Sequence, residues 1–135
     1  MSGELPRPAG SGDAAAFWES LRAGVLRLQR CGDCLALRHP PRPVCPRCSS
    51  RAIEWSTASG RGEIWSFTII HPPVLPAFTS ITPYNAVVVR LEEGPFLVSN
   101  LIDIGTVAVG AAVELVLERI DDDLTLPRFR PARTD

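Results

Sequence analysis

The four cysteines of this 135-residue chain lie close together, Cys31, Cys34, Cys45 and Cys48, as two Cys-x2-Cys units separated by ten residues. Each unit is short enough to form one tight turn that aims two thiolates at a common point, and two such turns make a closed tetrahedral set of four sulfurs. That is the donor set of a structural Zn2+, and it leaves no open position for a substrate. Iron in a rubredoxin-like S4 site fits the same geometry, so metal content decides between the two ions. A redox pair normally places Cys-x-x-Cys at a helix start beside a βαβ pattern, which this stretch lacks. A bound zinc contributes on the order of 10 kcal/mol of folding free energy to a segment too small to fold alone. Its role is then stability rather than catalysis.

No second constellation carries chemistry. His39 lies in the loop "LRHPPRPV" and, with four cysteines completing the metal shell, reads as a surface residue. His71 ends the segment "IWSFTII" without a paired nucleophile or orienting acid, which favours a hydrogen-bonded structural role over that of a base. Ser66, Tyr84, Asn100 and Asp103 have the same weakness. All fourteen basic residues are Arg, which excludes a lysine Schiff base or a lysine general base.

Charge is uneven along the chain. Residues 22–51 hold seven arginines against the single acid Asp33, so this segment carries +6 and the remainder −7. Arginine suits planar recognition of phosphate or carboxylate, although a GC-rich genome produces the same bias. No run approaches the eighteen apolar residues of a membrane span. The start, "MSGELPRPAGSGDAAAF", lacks the basic and apolar parts of a secretory signal. The chain therefore reads as soluble and cytoplasmic, a compartment where thiols stay reduced and metal binding is favoured over disulfides.

The elements that must position these groups follow from local pattern. Asp13 is a candidate N-cap for a helix over residues 14–23, with Phe17 and Leu21 on one face and Gly24 as its stop. So short a helix is unstable alone, so Phe17, Trp18 and Leu21 must pack on something, and a partner chain is one possibility. After the cysteine ribbon the pattern is all β. Trp65, Phe67 and Ile69 share one face of a strand, as do Val87, Val89 and Leu91. "EGP" at 93–95 makes a hairpin turn, Val113, Leu115 and Leu117 point inward, and "TLPRFRP" is a final edge strand. The predicted fold is mostly β: an N-terminal tail and helix (1–24), a rubredoxin-like zinc ribbon (25–57), and a five-stranded OB-fold barrel with a C-terminal tail (58–135). The connection "PPVLPAFTSITP" at 72–83 is long and apolar, with Val74, Leu75, Phe78 and Ile81; it suits an acyl chain, a protein surface, or a plug over its own barrel.

A ribbon before an OB barrel is common among nucleic-acid binders, but near-neutral charge, "DDD" at 121–123 and the lack of an aromatic stacking series argue against that use. The order of signals is more specific: "FWESLRAGVLRLQRC", "PPRPVCPRC", "WSTASGRGEIWSFTIIHPP", "PYNAVVVRLEEG" and "LPRFRP". Across residues 17–131 the chain resembles the family of small zinc-ribbon and OB-fold proteins, first catalogued as a domain of unknown function, that accompany thiolase-like acyl-CoA enzymes.

The resemblance implies a non-catalytic accessory subunit, in a hetero-oligomer with a thiolase or a thiolase-like aldolase of steroid side-chain breakdown. In such complexes the reacting residues belong to the partner, while the ribbon protein stabilises it and helps shape its CoA channel. On that view Arg38, Arg42, Arg47 and Arg61 are candidates to meet CoA phosphates or an acidic partner surface. Phe17, Trp18, Leu75 and Phe78 are candidate docking residues. A free-standing acyl-CoA binder and an OB-type single-strand binder are the alternatives.

Overall fold

The computed structural model describes residues 6–71, 76–78, 81, 83–102 and 107–132. It begins with a 3-10 turn, Gly12–Ala14, that runs into helix α1, Ala15–Arg22. Gly12 takes a left-handed conformation, φ 66, and the 3-10 turn carries Asp13 inside the first turn, where its side chain makes no capping bond. Asp13 therefore does not act as the expected N-cap; its charge near the N-terminus is what remains of that role. The stop is as the sequence predicts. Gly24 adopts φ 92, and the N–H groups of Gly24 and Val25 reach back to the carbonyls of Leu21 and Ser20, both at 3.0 Å, closing the end of the helix.

The ribbon is a three-stranded antiparallel sheet of β1, Arg27–Cys31, β2, Leu37–Arg38, and β3, Ile53–Thr57, in the order β2-β1-β3. The barrel contains β4, Arg61–Ile70, β5, Tyr84–Leu91, β6, Phe96–Ser99, β7, Ala112–Arg119, and β8, Thr125–Pro131. Their order is β6-β5-β4-β7-β8. The sheet curls until Leu101, just past β6, forms a parallel bridge with Phe129 of β8. This is the partly open five-stranded arrangement of an OB barrel. The turn after β5 carries Gly94 at φ 113, which suits a hairpin that only glycine turns without strain.

Two local features fix the barrel. Gly62 is required by close packing, because a Cβ there would lie 2.6 Å from the Arg90 carbonyl oxygen and 2.7 Å from Val89 Cγ1. Between Ile64 and Ser66 the pairing of β4 with β5 shifts through a bulge. Ile64 is buried, but Trp65 falls in the irregularity, remains 56% exposed and packs on Phe96 with ring centroids 5.0 Å apart. The single Trp65–Phe67–Ile69 face read from the sequence is thus broken at Trp65, because a bulge resets the period-two alternation.

The parts share one core. Phe17 and Leu21 of α1 and Leu26 and Leu28 at the ribbon base cluster with Ile64, Val87, Val89, Leu91, Leu97, Leu101, Val113 and Phe129. The apolar stripe of α1 therefore packs on its own chain, and that burial is what stabilises a helix of only eight residues.

Candidate functional site

The two cysteine turns are built alike. In the first, Leu35 N–H bonds to the Cys31 carbonyl at 3.0 Å and Cys31 N–H to the Ala36 carbonyl at 2.9 Å. In the second, Ser49 N–H bonds to the Cys45 carbonyl and Cys45 N–H to the Ser50 carbonyl, both at 2.9 Å. Each turn is closed by a residue in the left-handed region, Leu35 at φ 65 and Ser49 at φ 64, a conformation that usually falls to glycine. The first turn also packs against the strand that leads out of the ribbon. A Cβ on Gly32 would lie 2.9 Å from the Ala52 Cβ, so "CGDC" needs its glycine there.

These turns bring all four Sγ atoms within 4.8 Å of one another. Cys31 and Cys48 sulfurs are 3.5 Å apart, and those of Cys34 and Cys45 3.7 Å. A tetrahedral ion with metal–sulfur bonds of about 2.3 Å spaces its sulfurs by roughly 3.8 Å, so the donor set fits zinc. Backbone N–H groups of Asp33 and Cys34 point at Cys31 Sγ, and that of Arg47 at Cys45 Sγ, each at 3.4 Å. They offset the negative charge of the thiolates. The Cys34 N–H most of all, against burial and helped by the Asp33 N–H, lowers the Cys31 thiol to about 6. The Arg47 N–H similarly lowers Cys45. A hydrogen bond from Ser50 pulls Cys48 down, but contacts with Cys31, Cys34 and Cys45 and burial together push it up to about 12. Four clustered thiols resist ionising together, and a divalent cation is the charge that lets them.

The second site lies where the barrel closes. Asn85, buried inside β5, receives the Leu101 N–H on Oδ1 at 2.6 Å and gives its Nδ2–H to the Leu101 carbonyl at 2.7 Å. Its amide thus imitates a neighbouring strand and carries the pairing past the end of β6. Asn100 Nδ2 donates to the Asn85 carbonyl at 2.5 Å, and Arg128 Nη1 donates to Asn100 Oδ1 at 2.9 Å. Arg128 is also ion-paired with Glu118. Between β6 and β8 a cleft of about 230 Å³ remains, roofed by α1 and by His39 from the ribbon. Sequence reasoning passed over Asn85; a lone amide inside the apolar run "YNAVVV" was the available signal.

The remaining candidates are scattered. Phe17 is 4% exposed; it packs in the core and borders the cleft. Trp18 is half-buried and lines the cleft beside it. Arg38, expected at the surface, is only 7% exposed; its Nε donates to Gln29 Oε1 at 2.5 Å and its Nη2 to the Arg42 carbonyl at 3.1 Å. It holds the proline-rich loop rather than facing solvent. His39 is likewise not a free surface residue: its ring sits 4.9 Å from that of Phe17, and burial lowers its pKa. Arg42, Arg47 and Arg61 are exposed. Arg61 lies in a separate shallow hollow of mixed charge with Glu63, Arg90 and Glu92, which no ribbon residue lines. Leu75, Val74 and Asp103 lie outside the described residues, as does the side chain of Phe78; His71 and Ile81 are exposed. Among the described residues no helix is long and apolar enough to cross a membrane.

Comparison with known proteins adds what geometry alone does not. A family model described as the ChsH2 rubredoxin-like zinc ribbon domain matches residues 18–54, and one described as the ChsH2 C-terminal OB-fold domain matches residues 55–118. A probable enoyl-CoA hydratase alpha subunit of Thermomonospora curvata is 42% identical over 94% of this chain. The 3-oxo-4,17-pregnadiene-20-carboxyl-CoA hydratase alpha subunit of Mycobacterium tuberculosis is 39% identical over 81% of it. The chain spans only 40% and 35% of the lengths of those two proteins. A DUF35 domain-containing scaffold protein of Pyrococcus furiosus is 38% identical over 70% of this chain and 75% of its own. Among solved structures, a chain of the Ltp2-ChsH2(DUF35) aldolase superposes with a TM-score of 0.83 at 41% identity, covering 93% of this chain and 98% of that one. The paired cysteine turns, the partly open barrel and these matches show that the chain belongs to the ChsH2 (DUF35) family of zinc-ribbon and OB-fold proteins.

Proposed function

We propose that this chain is a non-catalytic accessory subunit that binds and stabilises an acyl-CoA enzyme of the thiolase-like aldolase type, acting on a bulky acyl-CoA such as a steroid side chain. The observation that carries the reading is the likeness, over nearly the whole of both chains, to a component of the Ltp2-ChsH2(DUF35) aldolase. One feature of the chain agrees with it: its metal site is a closed set of four sulfurs, which offers no coordination position to a substrate. Exposed Arg42 and Arg47 on the ribbon, and Arg61 on the barrel, are the groups proposed to meet CoA phosphates or acidic residues at the mouth of the partner's channel.

Co-expression with the Ltp2 chain of that aldolase tests the reading. The expected result is a complex that survives gel filtration and cleaves a steroid side-chain acyl-CoA, with Ltp2 alone less stable and less active. Two separate elution peaks, together with unchanged Ltp2 turnover, would overturn it.

A further inference from the structure

The two cysteine turns are alike in themselves but not in how they are attached. The first is carried by a hairpin, since Cys31 ends β1 and β2 begins at Leu37. The second, residues 45–50, belongs to no strand. Its own backbone bonds, Ser49 N–H to the Cys45 carbonyl and Cys45 N–H to the Ser50 carbonyl, close the turn without fixing it to the sheet. Four thiolates repel one another, so the second turn needs an attachment of its own. Among the described residues two hydrogen bonds, apart from the sulfurs, bridge the two turns or the residues that follow them. Gly32 N–H bonds to the Ala52 carbonyl at 2.9 Å, and Ser50 Oγ donates to Asp33 Oδ2.

Ser50 is the hub of this bridge. While its hydroxyl donates to Asp33, the same oxygen accepts the Ala52 N–H at 3.0 Å. Its carbonyl takes the Cys45 N–H at 2.9 Å, and its own N–H bonds to Cys48 Sγ. Asp33 has the matching place in the first turn, where its N–H bonds to Cys31 Sγ at 3.4 Å. One side-chain bond therefore joins a residue that holds Cys31 to a residue that holds both ligands of the second turn.

We infer that the Asp33–Ser50 hydrogen bond is a latch that positions the two cysteine turns against each other and tightens the binding of zinc. Charge does not account for the carboxylate. Four thiolates already outweigh the two positive charges of Zn2+, so a further anion beside them gains little from the ion. What Asp33 supplies is an acceptor at the right place, and a bond from a hydroxyl to a carboxylate is stronger than a neutral one. Groups that orient metal ligands are worth about 10–100-fold in metal affinity. Asp33 is exposed and Ser50 half-buried, which places this latch at the lower end of that range. The inference does not rest on the accessory-subunit reading.

Zinc affinity of the purified full chain, measured by competition with a chromophoric chelator, tests the latch, with the absorption of bound Co2+ as a second readout. Asp33→Ala is expected to weaken zinc binding about tenfold, and Ser50→Ala at least as much. Asp33→Asn keeps the acceptor and Ser50→Thr the hydroxyl, so both should stay within threefold of the wild type. The double variant Asp33→Ala/Ser50→Ala should match Ser50→Ala within twofold, because both changes remove the same bond. At saturating Co2+ the Asp33→Ala chain should still show tetrahedral thiolate absorption, and should lose it at a lower chelator concentration than the wild type. An Asp33→Ala chain within twofold of the wild type overturns the inference. So does Asp33→Asn binding as weakly as Asp33→Ala, which would make the charge rather than the bond responsible, and so do additive losses in the double variant. If Ser50→Ala folds poorly, Asp33→Ala and Asp33→Asn, at an exposed position, decide the matter by themselves.

Discussion

Among the described residues the ribbon buries two leucines, two cysteines and two polar side chains, Leu26, Leu28, Cys31, Cys45, Gln29 and Arg38, whereas the barrel buries nine apolar side chains, Ile64, Val87, Val89, Leu91, Leu97, Leu101, Val113, Leu124 and Phe129, besides the polar Asn85, Ser99 and Thr125. Strand pairing alone does not hold either part, since backbone hydrogen bonds contribute little net once water is exchanged. The barrel adds apolar area removed from water. The ribbon has little to remove and adds four sulfurs arranged for a metal. Its polar interior is consistent with this: Gln29 Oε1 accepts from both Arg38 and the Arg42 N–H, so the proline-rich loop hangs on one buried amide. The difference teaches that the same chain has two centres of stability, one chemical and one hydrophobic, joined through Phe17, Leu21, Leu26 and Leu28.

The largest test is metal removal. Chelation should take away on the order of 10 kcal/mol from the ribbon, and hydrogen exchange should then become fast in β1–β3 while β4 and β5 stay protected. Uniform exchange across all strands would break the comparison by showing one cooperative unit. Next is Phe129→Ala, the largest fully buried side chain, expected to cost about 3–5 kcal/mol in urea unfolding with the metal still bound. Asn85→Ala leaves the N–H and carbonyl of Leu101 without partners and should cost about 2–4 kcal/mol, with faster exchange at residues 100–102. Leu35→Gly removes an exposed side chain at φ 65 and should raise stability by up to about 1 kcal/mol, provided the four-sulfur site alone forces that conformation.

The smallest effect is one of pH. The N–H of Asp123, with Arg7 adding a hydrogen bond and its charge, lowers Asp121 below its ordinary 3.8. A lowered carboxylate contributes stability that is present above the unfolded pKa and lost as pH falls through the folded one. Asp121→Asn should therefore lower the melting temperature slightly at neutral pH and flatten slightly its acid limb below pH 4, where the wild-type chain loses that contribution as well.

Legibility in the sequence followed the distance between partners. The cysteine turns, the Gly24 stop and the hairpin at 93–95 were readable because each is decided within a few neighbouring residues. The Asp13 cap failed over a short distance too, because a 3-10 turn displaced it. The exposed position of Trp65 was hidden, since one bulge in a ten-residue strand reverses what alternation predicts. His39 and Asn85 were hidden for another reason. Each is defined by a partner far along the chain, Phe17 for one and Leu101 for the other.

The sequence by itself therefore determined the metal chemistry and the strand-rich class, because ligand spacing and hydrophobic period are local quantities. The tertiary structure alone decided which arginines face water, that α1 covers its own barrel, and that the seam between β6 and β8 stays open as a cleft. Those depend on where a closing sheet runs out of hydrogen-bond partners, and that is set only when residues from α1, the ribbon and the last strand meet.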